Sequence, residues 1–269
     1  MNQFQLDGCT ALITGASAGL GREFARQLGG RAGALVLVAR RAERLGELRD
    51  ELTKRDPNLN VLIRPTDLSN RQEVEELCAS LDRDKINVDL LINNAGIGDY
   101  GSVATSDAAR VEKILAVNMT ALTTLTHRLL PAMVAARRGA ILNVSSSAGF
   151  LPIAGMAVYS ATKAYVNSFS EALRMELRGS GVRVTTLCPG PVHTEFGETA
   201  QRPHTKARIA PEISHVSAET VVRAALDAVE HDRPLVIPGF VMKVGMTILR
   251  AIPMPLLRLT ARLNRRGEV

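Results

Sequence analysis

The stretch T-A-L-I-T-G-A-S-A-G-L-G-R-E-F-A-R-Q-L, Thr10 to Leu28, decides how the rest of the chain is read. Its first five residues, TALIT, form a short apolar run. Gly15, Gly19 and Gly21 follow in a G-x3-G-x-G spacing, and REFARQL after them has helical character. A strand that turns through glycine into a helix points unpaired backbone N–H groups and the positive end of the helix dipole at one spot, which favours an anion. Glycine also lets the backbone turn tightly and approach a pyrophosphate. The spacing departs from the G-x-G-x-x-G of the general dinucleotide fingerprint. Its place after the first strand of an alternating chain supports phosphate binding over a plain tight connection.

Outward from that turn the same alternation repeats. Apolar runs lie at 10–14, 34–39, 60–64, 88–93, 140–145, 182–188 and 234–238, with amphipathic stretches at about 19–29, 41–55, 70–83, 107–136, 158–179 and 218–231 between them. Runs apolar on both faces belong to parallel strands covered by helices on both sides. The pattern predicts an α/β fold: a single Rossmann-type, doubly wound domain with a seven-stranded parallel sheet flanked by helices, over residues 1–238. The segment 191–217, with Pro191, Gly197, Pro203 and Pro211, joins no obvious pair of elements and reads as a lid or insertion over a site. Residues 239–269 form an apolar and basic C-terminal extension.

Composition narrows the function class. The formal net charge of +6 is concentrated in the tail, where Lys243, Arg250, Arg258, Arg262, Arg265 and Arg266 face only Glu268. A nucleic-acid binder carries its basic patch on the folded domain with aromatics between the charges, and neither feature is present. Cys9, Cys78 and Cys188 have no CxxC or metal-type spacing and fit a reducing compartment. His127 and His193 lack metal-ligand spacing as well, so no metal is assigned. The N-terminus has no basic region before its short apolar run, and no stretch is long enough to span a bilayer, so the expectation is a cytoplasmic protein.

Two features point to a redox site. NAD-binding chains place an acidic residue at the end of the second strand, against the ribose 2′-hydroxyl. Here that strand ends Val38-Ala39-Arg40-Arg41. Arginine can grip a phosphate in a bidentate fashion, so the residues predict NADP(H), through Arg40 first and Arg41 second. The second feature is AVYSATKAYVNSF, Ala157–Phe169, where Lys163 follows Tyr159 by four positions and shares its helix face. A free tyrosine near pKa 10 is a poor proton shuttle at neutral pH, and an adjacent ammonium is expected to lower that value. Tyr165, on the same helix, has no such partner set and reads as core or interface.

These motifs resemble the short-chain dehydrogenases/reductases, in the compact one-domain branch of about 250 residues. The resemblance is carried, in order, by TGASAGLG (14–21), NNAG (93–96), Asn118, Ser145-Ser146-Ser147, YSATK (159–163) and PGPVHT (189–194), and it covers about residues 8–238. It implies a catalytic tetrad of Asn118, Ser146, Tyr159 and Lys163, with Ser145 and Ser147 as neighbours left open. It implies cofactor contacts from Gly15, Ser17, Gly19, Leu20, Gly21 and Arg40. Asp67 and Leu68 would lie against adenine, and Asn94, Ala95 and Gly96 beneath its ribose. Pro189, Gly190, Val192 and Thr194 would bracket the nicotinamide amide. Tyr159 would be the general acid/base, Lys163 would also hold the ribose, Ser146 would orient the carbonyl, and Asn118 would bend its helix and relay protons to Lys163.

The expected reaction is hydride transfer between a ketone and a secondary alcohol, on a hydrophobic substrate such as a 3-oxoacyl, lipid or steroid-like ketone. The family usually forms homodimers or homotetramers through its two long helices, here 107–136 and 158–179. In 253–266, Leu256, Leu259 and Leu263 oppose Arg258, Arg262, Arg265 and Arg266, the pattern of a helix that makes peripheral contact with an anionic membrane surface. The competing reading is a non-catalytic NADP(H)-binding regulator or a membrane-surface scaffold.

Overall fold

The computed structural model describes residues 4–202, 215–252 and 255. The apolar runs are its strands: β1 (Thr10–Thr14), β2 (Ala34–Ala39), β3 (Asn60–Pro65), β4 (Leu90–Asn93), β5 (Gly139–Val144), β6 (Val182–Leu187) and β7 (Leu235–Val236). They form one parallel sheet in the order β3-β2-β1-β4-β5-β6-β7. The helices among the described residues are α1 (Gly19–Leu28), α2 (Ala42–Arg55), α3 (Arg71–Arg83), α4 (Ala108–Leu115), α5 (Leu122–Ala135), α6 (Ala157–Glu176), α7 (Phe196–Ala200), α8 (Ala218–Glu230) and α9 (Phe240–Ala251).

Successive strand residues face opposite sides of the sheet, so two-sided burial needs two apolar faces. Ile13, Leu35, Leu37 and Leu142 face Phe24 and Leu28 of α1, Leu48 of α2 and Val222 of α8. Their neighbours Leu12, Val36, Val38 and Ile141 face Leu77 of α3, Leu125 of α5 and Leu173 of α6. The strand order places the reversal between β1 and β4, and open α/β sheets bind ligands at that point, beyond the carboxyl ends of the strands.

Two features of the helices bear on the site. The stretch expected as one helix over 107–136 is divided by a π-helical turn, Ala116–Ala121, between α4 and α5. In addition, the C-terminal extension begins with a helix, α9. Met246 on one side of α9 is buried, while Phe240, Val241, Val244 and Ile248 are exposed. Residues 203–214 of the expected lid and the amphipathic pattern of 253–266, save Pro255, lie outside the described residues.

Candidate active site

The glycine turn leaves the carboxyl end of β1 and enters α1 at Ala18, whose side chain makes no capping hydrogen bond. The first amides of α1 therefore face the turn with their dipole unopposed by a cap. Gly15 and Gly19 sit at φ +68° and +52°, a conformation side chains resist. A Cβ on Gly21 would lie 2.7 Å from the carbonyl carbon of Gly15 and 2.6 Å from Asn94 Nδ2. The turn is thus a cradle of bare backbone, and it fits a dinucleotide pyrophosphate. Thr14 ties it to β4: its hydroxyl accepts hydrogen bonds from the amides of Asn94 (2.9 Å) and Ala95 (3.0 Å), while Asn94 Nδ2 donates to the Thr14 carbonyl (2.8 Å).

Beyond β4 and β5 the site is made of buried side chains. Tyr159, Lys163 and Asn118 are 6%, 4% and 1% exposed, which forces each polar atom to find a protein partner. Lys163 Nζ donates to the Val144 carbonyl at the end of β5 (2.8 Å) and lies 5.8 Å from the centre of the Tyr159 ring. Asn118 grips the strand-end loop, accepting from the Ile97 amide (2.8 Å) and donating to the Ile97 carbonyl (3.0 Å). It also donates to Thr162 Oγ1 (3.0 Å), which donates to the Tyr159 carbonyl (2.7 Å). The π-helical turn carries Asn118 at the position that makes these bonds.

The serines separate by role. Ser145 Oγ donates to the Lys163 carbonyl (3.0 Å), pinning α6 to the sheet edge. The Ser146 side chain meets the Tyr159 phenol and also accepts from the Ala148 amide (3.1 Å). Ser147 engages the Pro189 carbonyl through its amide (2.9 Å).

The electrostatics correct one expectation. Burial pushes the Tyr159 phenol above its ordinary value, and the contact with Ser146 pulls it only part of the way back. Burial also pushes Lys163 down, to about 8. The ammonium was expected to lower the tyrosine, yet desolvation dominates both groups. The resting pair at neutral pH is a neutral phenol and a mostly protonated amine.

The sequence profile described as "short chain dehydrogenase" matches residues 9–204. The chain belongs to the short-chain dehydrogenase family. It is similar to the NADP-dependent 3-hydroxy acid dehydrogenase YdfG of Escherichia coli strain K12, at 40% identity over 187 residues, covering 69% of this chain and 73% of that protein. Among solved structures it resembles a short-chain dehydrogenase from Sphingobium yanoikuyae in complex with NADPH, with a TM-score of 0.80, 31% identity and coverage of 97% and 96% of the two chains. It also resembles the bulky-bulky ketone specific alcohol dehydrogenase from Comamonas testosteroni, with a TM-score of 0.75, 28% identity and coverage of 97% and 94%.

The remaining expected residues of this dehydrogenase distribute unevenly. Leu20 packs against the core beside the glycine turn. Gly96 lies close to both Lys163 and Asn118, since a Cβ there would be 3.4 Å from Nζ and 3.5 Å from Oδ1. Thr194 rests on Gly19, and Met242 of α9 packs on Gly190, where a Cβ would meet its Cγ at 2.8 Å. Pro189 is buried, and Val192 pairs with Val216. Asp67 closes its own turn by accepting from Ser69 N and Oγ, and Leu68 is buried under β2. Arg40 is exposed near Asp67, whereas Arg41 reaches the glycine turn, donating to Ser17 Oγ at 3.1 and 3.3 Å.

Three residues of this corner escaped the sequence reading. Phe196 packs on the Tyr159 ring, with centroids 5.6 Å apart. Asp99, almost fully buried, accepts from Arg110 and Arg202 and ties the end of α7 to the loop after β4. Thr162 links Asn118 to the tyrosine, and only its place inside the Y-S-A-T-K motif could have marked it.

Proposed function

We propose that this chain is an NADP(H)-dependent oxidoreductase that interconverts a ketone and a secondary alcohol. The observation that carries the reading is the convergence of Ser146, Tyr159 and Lys163 beside the glycine cradle at one sheet edge. When bound, the nicotinamide supplies or accepts the hydride. Gly15, Gly19, Gly21 and the first amides of α1 would hold its pyrophosphate, and the arginines after β2 favour the phosphorylated cofactor.

Tyr159 holds a proton at neutral pH because burial raises its pKa, so it is ready to donate to an alkoxide as one forms. Ser146 orients the carbonyl oxygen toward the phenol. Lys163, positively charged below about pH 8, stabilises the negative charge that develops on the phenol as the proton leaves, and it is placed to hold the cofactor ribose. Asn118 positions the relay by fixing Ile97 and Thr162. Phe196 and Met242 make the roof apolar, which favours a hydrophobic ketone.

The test is NADPH oxidation against a panel containing 3-oxo acids and bulky aryl or steroid-like ketones, with NADH in parallel. Turnover with NADPH at least tenfold above NADH is expected, a difference of about 1.4 kcal/mol. Preference for NADH, or no turnover of any ketone while NADPH binds, contradicts the reading and favours the non-catalytic regulator.

Two partner assignments accompany it. Ala161, Ala164 and Ala172 expose a small-residue face of α6, with the large apolar Met175 exposed at its end, which supports a homodimer or homotetramer; light scattering should give a multiple of the 29.0 kDa chain. The exposed apolar stripe of α9, in a segment 233–267 with seven basic and no acidic residues, supports peripheral contact with an anionic lipid surface. Sedimentation with anionic but not neutral vesicles is the expected result. No helix among the described residues is long and apolar enough to cross a membrane.

A further inference from the structure

Three consecutive residues lie across three parts of the site. Thr194 rests on the glycine turn, its Cβ 3.3 Å from where a Cβ on Gly19 would be. Glu195 accepts from Arg44 Nη1 at 2.7 and 3.0 Å and from Arg41 Nη1 at 3.3 Å. Phe196 packs on the ring of Tyr159. Arg41 meanwhile reaches back to Ser17 inside the turn. A carboxylate borne by the strap 194–200 therefore sits on two guanidinium groups at the rim of the phosphate cradle.

The strap is held differently at its two ends. At the far end Asp99 is buried and accepts from Arg202 Nε (2.8 Å) and Arg110 Nε (2.8 Å), and Arg110 also donates to the Thr199 carbonyl (3.2 Å). At the near end the side chains of Arg41, Arg44 and Glu195 are 43%, 40% and 48% exposed. Ion pairs this exposed are weakened by solvent screening and hold the strap only loosely, so a better anion can replace them. A phosphate brings about −1.5 to −2 charge and three acceptor oxygens, against one charge on a carboxylate. The same two arginines and the Ser17 hydroxyl form a donor set for it.

We infer that Glu195 is a resident competitor for a 2′-phosphate subsite formed by Arg41, Arg44 and Ser17. The inference rests on the NADP(H) reading and goes beyond it. It moves phosphate recognition from Arg40 to Arg41 and Arg44, and it makes cofactor recognition act on the catalytic tyrosine. When the phosphate takes the arginines, Glu195 loses its tether and the strap carrying Phe196 is freed over Tyr159. A cofactor without the phosphate leaves the strap latched.

The experiment measures binding of adenosine 2′,5′-bisphosphate and 5′-AMP by calorimetry, together with hydrogen exchange of amides 194–200. Glu195→Gln keeps the shape and removes the competing charge. It should tighten adenosine 2′,5′-bisphosphate about three- to tenfold and leave 5′-AMP unchanged. Glu198→Gln, an equal charge change on α7, should move neither. Arg41→Gln with Arg44→Gln should remove the preference for the bisphosphate, whereas Arg40→Gln should largely keep it. In the wild-type chain the bisphosphate, and not 5′-AMP, should speed exchange at 194–200, and Glu195→Gln should show that faster exchange without ligand. A chain that binds the two nucleotides equally overturns the cofactor reading and the latch together. A chain that prefers the bisphosphate overturns the latch alone if Glu195→Gln leaves its affinity unmoved, if Glu198→Gln shifts it equally, or if exchange does not respond.

Discussion

The glycine turn after β1 and the tyrosine corner after β5 lie at the same edge of one sheet, yet they are built by opposite means. The turn works by what it omits: with no Cβ at Gly15, Gly19 and Gly21, backbone amides and the start of α1 are bared. The corner works by what it buries: Tyr159, Lys163 and Asn118 are held by named partners and almost closed to solvent. A site made of backbone tolerates no added atom. A site made of side chains tolerates a change of shape but not of hydrogen bonding. Lesions in the first should therefore act on cofactor affinity and stability, and lesions in the second on rate.

Apart from loss of the tyrosine hydroxyl itself, the largest effect that sharpens this contrast is expected from Ser146→Ala. Loss of the hydroxyl that meets the phenol should lower kcat about 10²–10³-fold while NADPH affinity stays within twofold. Equal losses in rate and affinity would erase the distinction between the two regions. Gly21→Ala comes next. Its methyl would press on Gly15 and Asn94, and overpacking of this kind destabilises by about 1–3 kcal/mol. The urea midpoint and NADPH affinity should fall together, and a variant that keeps both would show that the turn has slack.

The charge buried in the corner predicts a pH signature. In the folded chain Lys163 sits at about 8 against an ordinary 10.5, because burial disfavours its charge. Between those values the unfolded chain holds the proton and the folded chain has released it, so stability rises with pH in that window. Below about pH 8 both states are protonated and the burial penalty is felt in full. Relative to Lys163→Met, the wild-type urea midpoint should climb from pH 8 to 10.5, and a flat or falling difference would place the amine in solvent. The smallest effect belongs to Tyr165→Phe, which removes a hydrogen bond to Thr123 (2.8 Å) worth about 0.5–1.5 kcal/mol and should leave turnover untouched.

The two regions also differ in how much of them the sequence carries. All seven strands were legible because two-sided burial writes itself as continuous apolar runs, and the turn was legible because only glycine suits it. Tyr159 and Lys163 were legible as neighbours because helical spacing sets which residues share a face. Their electrostatics were not, since spacing reports proximity and says nothing about the desolvation that dominates both groups. The division of the 107–136 helix was expected at Asn118 only through the family resemblance, because the widened turn is fixed by hydrogen bonds to Ile97, a residue 21 positions away. Phe196, Glu195 and Asp99 stayed hidden for the same reason: each acts on partners far off in the chain, as Glu195 does on Arg41 at a separation of 154. Arg41, placed second to Arg40 by its position after β2, is the arginine that reaches Ser17, a difference decided by where the two side chains leave the strand end.

The central claim, that this corner moves the proton while the cradle holds the cofactor, is tested most directly by Tyr159→Phe. The phenylalanine keeps the ring that packs against Phe196 and removes only the hydroxyl. NADPH should bind as tightly as in the wild-type chain, while ketone reduction falls about 10²–10⁴-fold. Reduction that persists within tenfold of wild type, with binding intact, would contradict the account.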